Sequence, residues 1–260
     1  MRAGTFSSAI APLVDFVYPP RCPLCGEGIA GGPGLCADCW GQLEFPGQPA
    51  CSRCQIPLAN HWDGEQCGSC VARPPAHSGV SAAVLYTEPA RQIVLRFKHG
   101  GRIGLAPLMA RLMAARLPED TRHALLVPVP LHRTRLWMRG YNQAALLARE
   151  IARQSGREAM VDALRRTRAT AKLGGLGKAA RAGELKGAIA TAHSRAKAIQ
   201  DRDVILVDDV LTSGATTAAC TNALLRAGAR CVHIACFARV SETSAVERET
   251  PETQKVPGAA

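Results

Sequence analysis

The stretch Asp203 to Thr217, DVILVDDVLTSGATT, constrains the fold of this chain more than any other. Val204-Ile205-Leu206-Val207 is a short apolar run rich in β-branched residues, the pattern of a strand buried on both faces of a parallel sheet. Asp208 and Asp209 stand where that strand is expected to end. The small-residue turn Thr212-Ser213-Gly214-Ala215-Thr216-Thr217 follows, and a helical pattern then begins, running to Ala227 and stopped by Gly228. Open α/β sheets bind ligands at the carboxyl ends of their strands. Free N–H groups at such a helix start, joined by Ser and Thr hydroxyls, make a phosphate cradle. Adjacent carboxylates beside it suit sugar hydroxyls or a divalent cation.

A second constraint lies upstream. Eight of the eleven cysteines form four CxxC pairs: Cys22/Cys25, Cys36/Cys39, Cys51/Cys54 and Cys67/Cys70. Each CxxC sets two thiolates on one side of a tight turn, and two such knuckles close a tetrahedral zinc site. Residues 22–75 hold few large apolar side chains, so the segment needs a metal staple to fold. Four knuckles make two structural Zn²⁺ sites, with sequential or interleaved pairing both open on spacing alone. Trp40, Phe45 and Trp62 are expected to supply this module's apolar faces, and His61 to be an exposed loop residue. The linker-like run Arg73 to Ser78 places a domain boundary there. The expected organisation is an amphipathic segment over 1–20, a double zinc ribbon over 21–75, an α/β domain over 76–240 and a disordered tail over 241–260.

Within the α/β domain, Val80–Tyr86 and Leu125–Val129 read as strands, and Cys231–Phe237 as a final one. Helices are expected from Pro89 to about Phe97, from Leu105 to Arg116, and after Gln143 with Ala144, Leu147, Ala148 and Ile151 on one face. Cys220, Cys231 and Cys236 lack knuckle spacing and read as small buried hydrophobes. Between the second strand and the third helix runs LHRTRLWMRGYNQ, Leu131 to Gln143, read as a loop in which Arg133, Arg135 and Arg139 suit a pyrophosphate. Residues 165–187, rich in Gly, Arg and Lys, read as a mobile lid over an anionic site.

The net charge of +11 is concentrated: residues 131–197 carry 15 basic and 4 acidic side chains. Such a field attracts polyanions, either a pyrophosphate-bearing substrate or nucleic acid. No segment approaches the roughly 20 apolar residues that a membrane span needs. Ile10 to Val17 is broken by Asp15 and lacks the pattern of a secretory signal, so the expected location is cytoplasmic.

The VDDVLTSGAT turn resembles the phosphoribosyl pyrophosphate (PRPP) loop of type I phosphoribosyltransferases. With the cysteine module, the VPVP strand, and the RGYNQ turn in this order, the chain resembles the ComF family over roughly residues 18–240. That resemblance implies a double zinc ribbon followed by a phosphoribosyltransferase-like parallel sheet flanked by helices. It implies PRPP with Mg²⁺ as ligand, Asp208 and Asp209 on the ribose hydroxyls, and Thr212, Ser213, Gly214, Ala215 and Thr216 around the 5′-phosphate. Arg133, Arg135, Arg139 and Arg181 fall on the pyrophosphate side. A glycosyltransferase-type role in natural competence, on internalised DNA and with competence-machinery partners, is the implied function. The alternatives are a catalytically weak factor binding single-stranded nucleic acid through residues 131–197, or a PRPP-sensing regulator. The lid departs from the family pattern: Leu173 replaces a Gln, and Glu184 stands where Asn is usual.

Overall fold

The fold is described from a computed structural model, over residues 20–29, 34–59, 65–99, 101–168 and 187–241. Two short helices, α1 (Ala37–Gly41) and α2 (Gly68–Ala72), belong to the cysteine module. Strand β1 (Gly79–Leu85) then leads into helix α3 (Glu88–His99) and helix α4 (Ala106–Ala114). Next come β2 (Leu125–Pro128), α5 (Arg133–Arg139), α6 (Gln143–Ser155), β3 (Leu164–Arg166) and β4 (Ile189–Thr191). The chain continues through α7 (Ala196–Ile199), β5 (Asp203–Leu211), α8 (Ala215–Arg226) and β6 (Cys231–Arg239).

Four strands make one all-parallel sheet in the order β1-β6-β5-β2. The two central strands read as continuous apolar runs because both of their faces are covered. On one face, Ile205, Val207, Ala235 and Phe237 pack against Ile93 and Phe97 of α3, Met109 and Met113 of α4, and Leu147 and Ile151 of α6. On the other, Val204, Leu206, Ile234 and Cys236 meet Cys220, Ala223 and Leu224 of α8. Each of these side chains is nearly or fully buried, and each contributes roughly 1.5–3 kcal/mol if large and apolar.

The faces decide where a ligand fits. The connection leaving β2 runs through α6 on the first face, whereas the one leaving β5 runs through α8 on the second. The neighbouring strands β2 and β5 therefore flank a topological switch point, the crevice in which open α/β sheets bind ligands.

β1 is an edge strand, and edge strands expose unpaired N–H groups. Here the cysteine module covers it: Leu85 N–H donates to Glu44 O at 2.7 Å and Ala82 N–H to Gln55 Oε1 at 2.7 Å. Further ties run from Arg53 to the His77 and Ser78 carbonyls, from Arg116 to Pro46 O at 2.7 Å, and from Arg96 to Pro23 O and Leu24 O.

Four expectations are corrected. β5 does not end at the aspartates but continues to Leu211, because β6 extends alongside it, pairing Val210 with Ala238 and Leu211 with Arg239. Arg133–Arg139 is a helix rather than a loop, opened by His132, whose side chain accepts from Thr134 N–H, and closed by Gly140 at φ 76°. Trp40 and Phe45 stack on each other at 5.6 Å between centroids but remain about two-fifths exposed, and Leu43 is the module's buried contribution to the core. Cys231 is only half-buried, and its thiol donates to Asp203 at 3.1 Å. β3 and β4 pair antiparallel on either side of the expected lid, whose residues 169–186 lie outside the described residues. Leu173, Arg181 and Glu184 lie outside the described residues, as do His61, Trp62, and nearly all of 1–20 and 241–260.

Candidate functional site

The turn after β5 is built by its own residues. Gly214 takes the left-handed conformation, φ 76°, at the N-cap of α8, and the Thr217 hydroxyl donates back to Gly214 O at 2.9 Å. The first N–H groups of this 12-residue helix therefore open into the turn without helical partners. Asp208, Thr212, Ser213, Gly214, Ala215 and Thr216 together line a cleft of about 80 Å³. Hydroxyls, N–H groups and the positive end of a helix converge on it, a combination suited to phosphate.

Continuation of β5 through the aspartates sends their side chains to opposite faces of the sheet. Asp209 is buried and ion-pairs with Lys98 at 2.9 Å. Asp208 stays on the α8 side, where its carboxyl is pushed up to about 7 by burial and then by the charge of Asp209, with Lys98 pulling it back. Asp208 Oδ1 also accepts the Asp209 N–H at 2.9 Å. Asp208, which resists ionisation, thus lines the cleft, while Asp209 is paired with Lys98 on the opposite face of the strand.

Lys98 was not singled out by its sequence context, where Lys98-His99-Gly100-Gly101 signals only a helix stop. The RGYNQ turn delivers it. The Tyr141 hydroxyl donates to Phe97 O and the two rings lie 6.2 Å apart, so the turn grips the end of α3 beside Lys98. Asn142 caps α6 by accepting from Ala144 N–H at 3.1 Å and donates to Val129 O at 3.1 Å, tying the same turn to the end of β2.

The arginines lie across the switch point. Arg133 is exposed, Arg135 and Arg139 are half-buried, and Arg139 donates to Gln143 Oε1 at 3.2 Å. Arg166, at the base of the expected lid, is a residue the sequence reading did not select. Its guanidinium is lowered by burial and then by the charge of Arg135. It also stands within electrostatic reach of Cys220, whose thiol is raised by burial and by Asp208. Two like charges held near one strand end would be relieved by an anion between them.

The cysteines form two separate clusters, Cys22/Cys25/Cys36/Cys39 and Cys51/Cys54/Cys67/Cys70, so the pairing is sequential. Within each, every Sγ lies within 4.8 Å of the others, with Cys25–Cys36 at 3.5 Å and Cys54–Cys67 at 3.7 Å. Tetrahedral zinc with Zn–S near 2.3 Å requires sulfurs about 3.8 Å apart. Burial raises the Cys22 thiol, but N–H groups of Cys25, Cys36 and Leu24 outweigh it and bring the pKa to about 6. Cys51 falls to about 7 for the same reason. N–H groups thus favour the thiolate, the ligand form, at Cys22 and Cys51, whereas burial and neighbouring sulfurs raise Cys39 and Cys70; the four converging sulfurs of each cluster fit a closed structural zinc.

The sequence matches the double zinc ribbon domain family over residues 13–71 and the phosphoribosyl transferase domain family over residues 139–255. DNA utilization protein YhgH of Escherichia coli (strain K12) is 31% identical over 228 residues, covering 85% of this chain and 97% of the relative. Competence protein F of Haemophilus influenzae is 32% identical over 189 residues, covering 70% and 80%. Among solved structures, phosphoribosylpyrophosphate synthetase from Mycobacterium smegmatis aligns with 53% of this chain and 35% of its own, at 15% identity and a TM-score of 0.34. No helix among the described residues is long and apolar enough to cross a membrane.

Proposed function

Because the chain belongs to the ComF family of competence and DNA-utilization proteins, we propose that its phosphoribosyltransferase domain binds PRPP with Mg²⁺ at the switch point between β2 and β5. The observation that carries this reading is the cleft in which Asp208 and the Thr212–Thr216 turn converge on the start of α8. The 5′-phosphate takes the N–H groups and hydroxyls of Thr212, Ser213, Gly214, Ala215 and Thr216. Asp208, which lines the cleft, accepts from the ribose hydroxyls, while Asp209, paired with Lys98 on the other face, sets the charge beside it. Arg133, Arg135 and Arg139 of α5, together with Arg166, take the pyrophosphate, and the family resemblance adds Arg181. Mg²⁺ when bound neutralises charge on the pyrophosphate.

In a transfer reaction the bond from C1 to pyrophosphate breaks and a bond from C1 to an acceptor forms. The guanidiniums stabilise the departing charge and the cradle holds the sugar in line. A cytoplasmic role on internalised DNA accords with this reading. Calorimetry with Mg²⁺ tests it: Asp208→Ala/Asp209→Ala is expected to weaken PRPP binding by about a hundredfold, the effect of losing a charged hydrogen-bond acceptor and the charge beside it. Equal affinity in wild type and variant would overturn it. Release of pyrophosphate on adding candidate acceptors separates a transferase from a sensor.

A second reading, compatible with the first, has its own observation. On α5, Trp137 is 89% exposed and Met138 79%, among Arg133, Arg135 and Arg139. An exposed indole among guanidiniums suits stacking on the bases of a single strand while phosphates meet the charges. Trp137→Ala is expected to weaken single-stranded DNA binding about tenfold. Affinity that is flat between low and physiological salt removes this reading.

A further inference from the structure

A second cavity, of about 480 Å³, also borders the phosphate turn and shares Leu211, Thr212, Ser213, Gly214 and Thr217 with the cleft. Its walls include Cys54 and Cys70 of the second cysteine cluster, Leu211 and Gly214 of the turn, and Thr221 of α8. Neither Asp208 nor Asp209 is among its lining residues. The turn is thus bordered by open space, and tight packing alone does not decide where it stands. Polar ties do: Thr217 Oγ1 on Gly214 O, Val240 N–H on Leu211 O at 3.0 Å, and the side chain of Arg239.

Arg239 closes β6 and is 7% exposed. Its Nη1 donates to Leu211 O at 3.0 Å, Thr212 O at 2.8 Å and Val240 O at 2.8 Å, and its Nε donates to Cys54 O at 3.0 Å. One guanidinium therefore spans the first residue of the phosphate turn and a cysteine of the second cluster. All four acceptors are neutral carbonyls, and none of the carboxylate ion pairs among the described residues includes Arg239. A buried cation without a counter-charge is costly. Four thiolates around Zn²⁺ carry a net double negative charge, and Cys54 belongs to that group. Zinc bound there would place a compensating charge near Arg239 where, among the described residues, no carboxylate ion pair does. Loss of the metal would remove that counter-charge and loosen the Cys54 carbonyl together.

Among the described residues the first cluster has no hydrogen bond to the phosphate turn: Arg96 of α3 donates to the carbonyls of Pro23 and Leu24, and Arg102, just beyond that helix, to Pro23 O. We infer that Arg239 is a positioning residue through which the second zinc site holds the phosphate turn in its binding geometry. Occupancy of Cys51/Cys54/Cys67/Cys70 then controls affinity for the phosphorylated ligand, while the metal itself stays closed to chemistry. The functional half of this inference rests on the PRPP reading above; the structural half does not.

The test uses the full chain with its zinc content measured, and reads amide exchange at 211–216 alongside PRPP·Mg²⁺ affinity. Arg239→Met, and loss of the second zinc in Cys67→Ser/Cys70→Ser, are expected to speed exchange at 211–216 and weaken binding by about tenfold or more. Arg239→Lys, which keeps the charge but spans fewer carbonyls, is expected to fall between them and wild type with both zinc ions retained. Arg116→Ala removes another tie between module and domain, the one to Pro46 O, and is expected to change neither readout. A role in stability alone would lower the melting temperature without this local signature. Should Arg239→Met fail to fold, Arg239→Lys and the second-site variant carry the comparison. If wild type binds no PRPP, the ligand reading falls while exchange at 211–216 still judges the coupling. Wild-type exchange at 211–216 in Arg239→Lys and in the second-site variant overturns the inference.

Discussion

Asp208 and Asp209 are neighbours in the chain with opposite electrostatic situations. Asp209 has an ammonium at 2.9 Å, whereas burial and then Asp209 itself lift Asp208 to about 7. An ordinary carboxyl of the unfolded chain titrates near 3.8. A folded pKa above the unfolded one means that Asp208 contributes stability below about pH 4, and that this is lost as pH rises through about 7. Above that, the ionised carboxylate works against the fold. Asp208→Asn removes the charge and keeps the shape, so we expect it to stabilise the unliganded protein by about 1–2 kcal/mol at pH 8, and much less at pH 5. The same variant should lose PRPP affinity. Thermal melts at the two pH values check the first part, and a stabilisation equal at both would contradict it.

The element in which binding is concentrated is the joint of β5 and α8. Gly214 is its hinge, with φ at +76°. A β-carbon there would meet only Thr217 Oγ1 at 3.7 Å and Leu211 Cδ1 at 3.9 Å, both ordinary contacts. The cost of Gly214→Ala is therefore conformational rather than steric, about 1 kcal/mol, or a few degrees in melting temperature. Because the strained residue shapes the phosphate cradle, affinity should fall by more than stability does. A variant that melts lower yet binds PRPP unchanged would show that the αL turn is not needed. The same physics explains α5. Its apolar residues Leu136, Trp137 and Met138 point outward, so no amphipathic period marked it as a helix. Its caps, His132 and Gly140, define it instead.

At the scale of the whole molecule, the zinc module and the sheet are one folding problem. The module seals the β1 edge through Glu44 and Gln55, and two four-thiolate centres hold the module in shape. Chelation is expected to release it, expose the N–H row of β1, and drive self-association through that edge. Light scattering of chelated and zinc-loaded protein measures this. Chelated protein that stays monomeric with β1 amides still protected would contradict it.

Much of this was legible in the sequence, because the signals are local. Apolar runs and helical periods marked β1, β2, β5, β6 and the long helices. The CxxC spacing announced thiolate knuckles, and TSGAT announced a helix start with free N–H groups. What the sequence could not carry were relations across the fold. Sequential pairing of the knuckles depends on which turns come together. Separation of the two aspartates depends on β6 running far enough to extend β5. Lys98 reaches Asp209 from α3, whose end Tyr141 grips from 44 residues away. Arg239 meets Cys54 across 185 residues of chain. Local chemistry is written into adjacent residues, whereas the counter-charge of a buried group is chosen by tertiary packing.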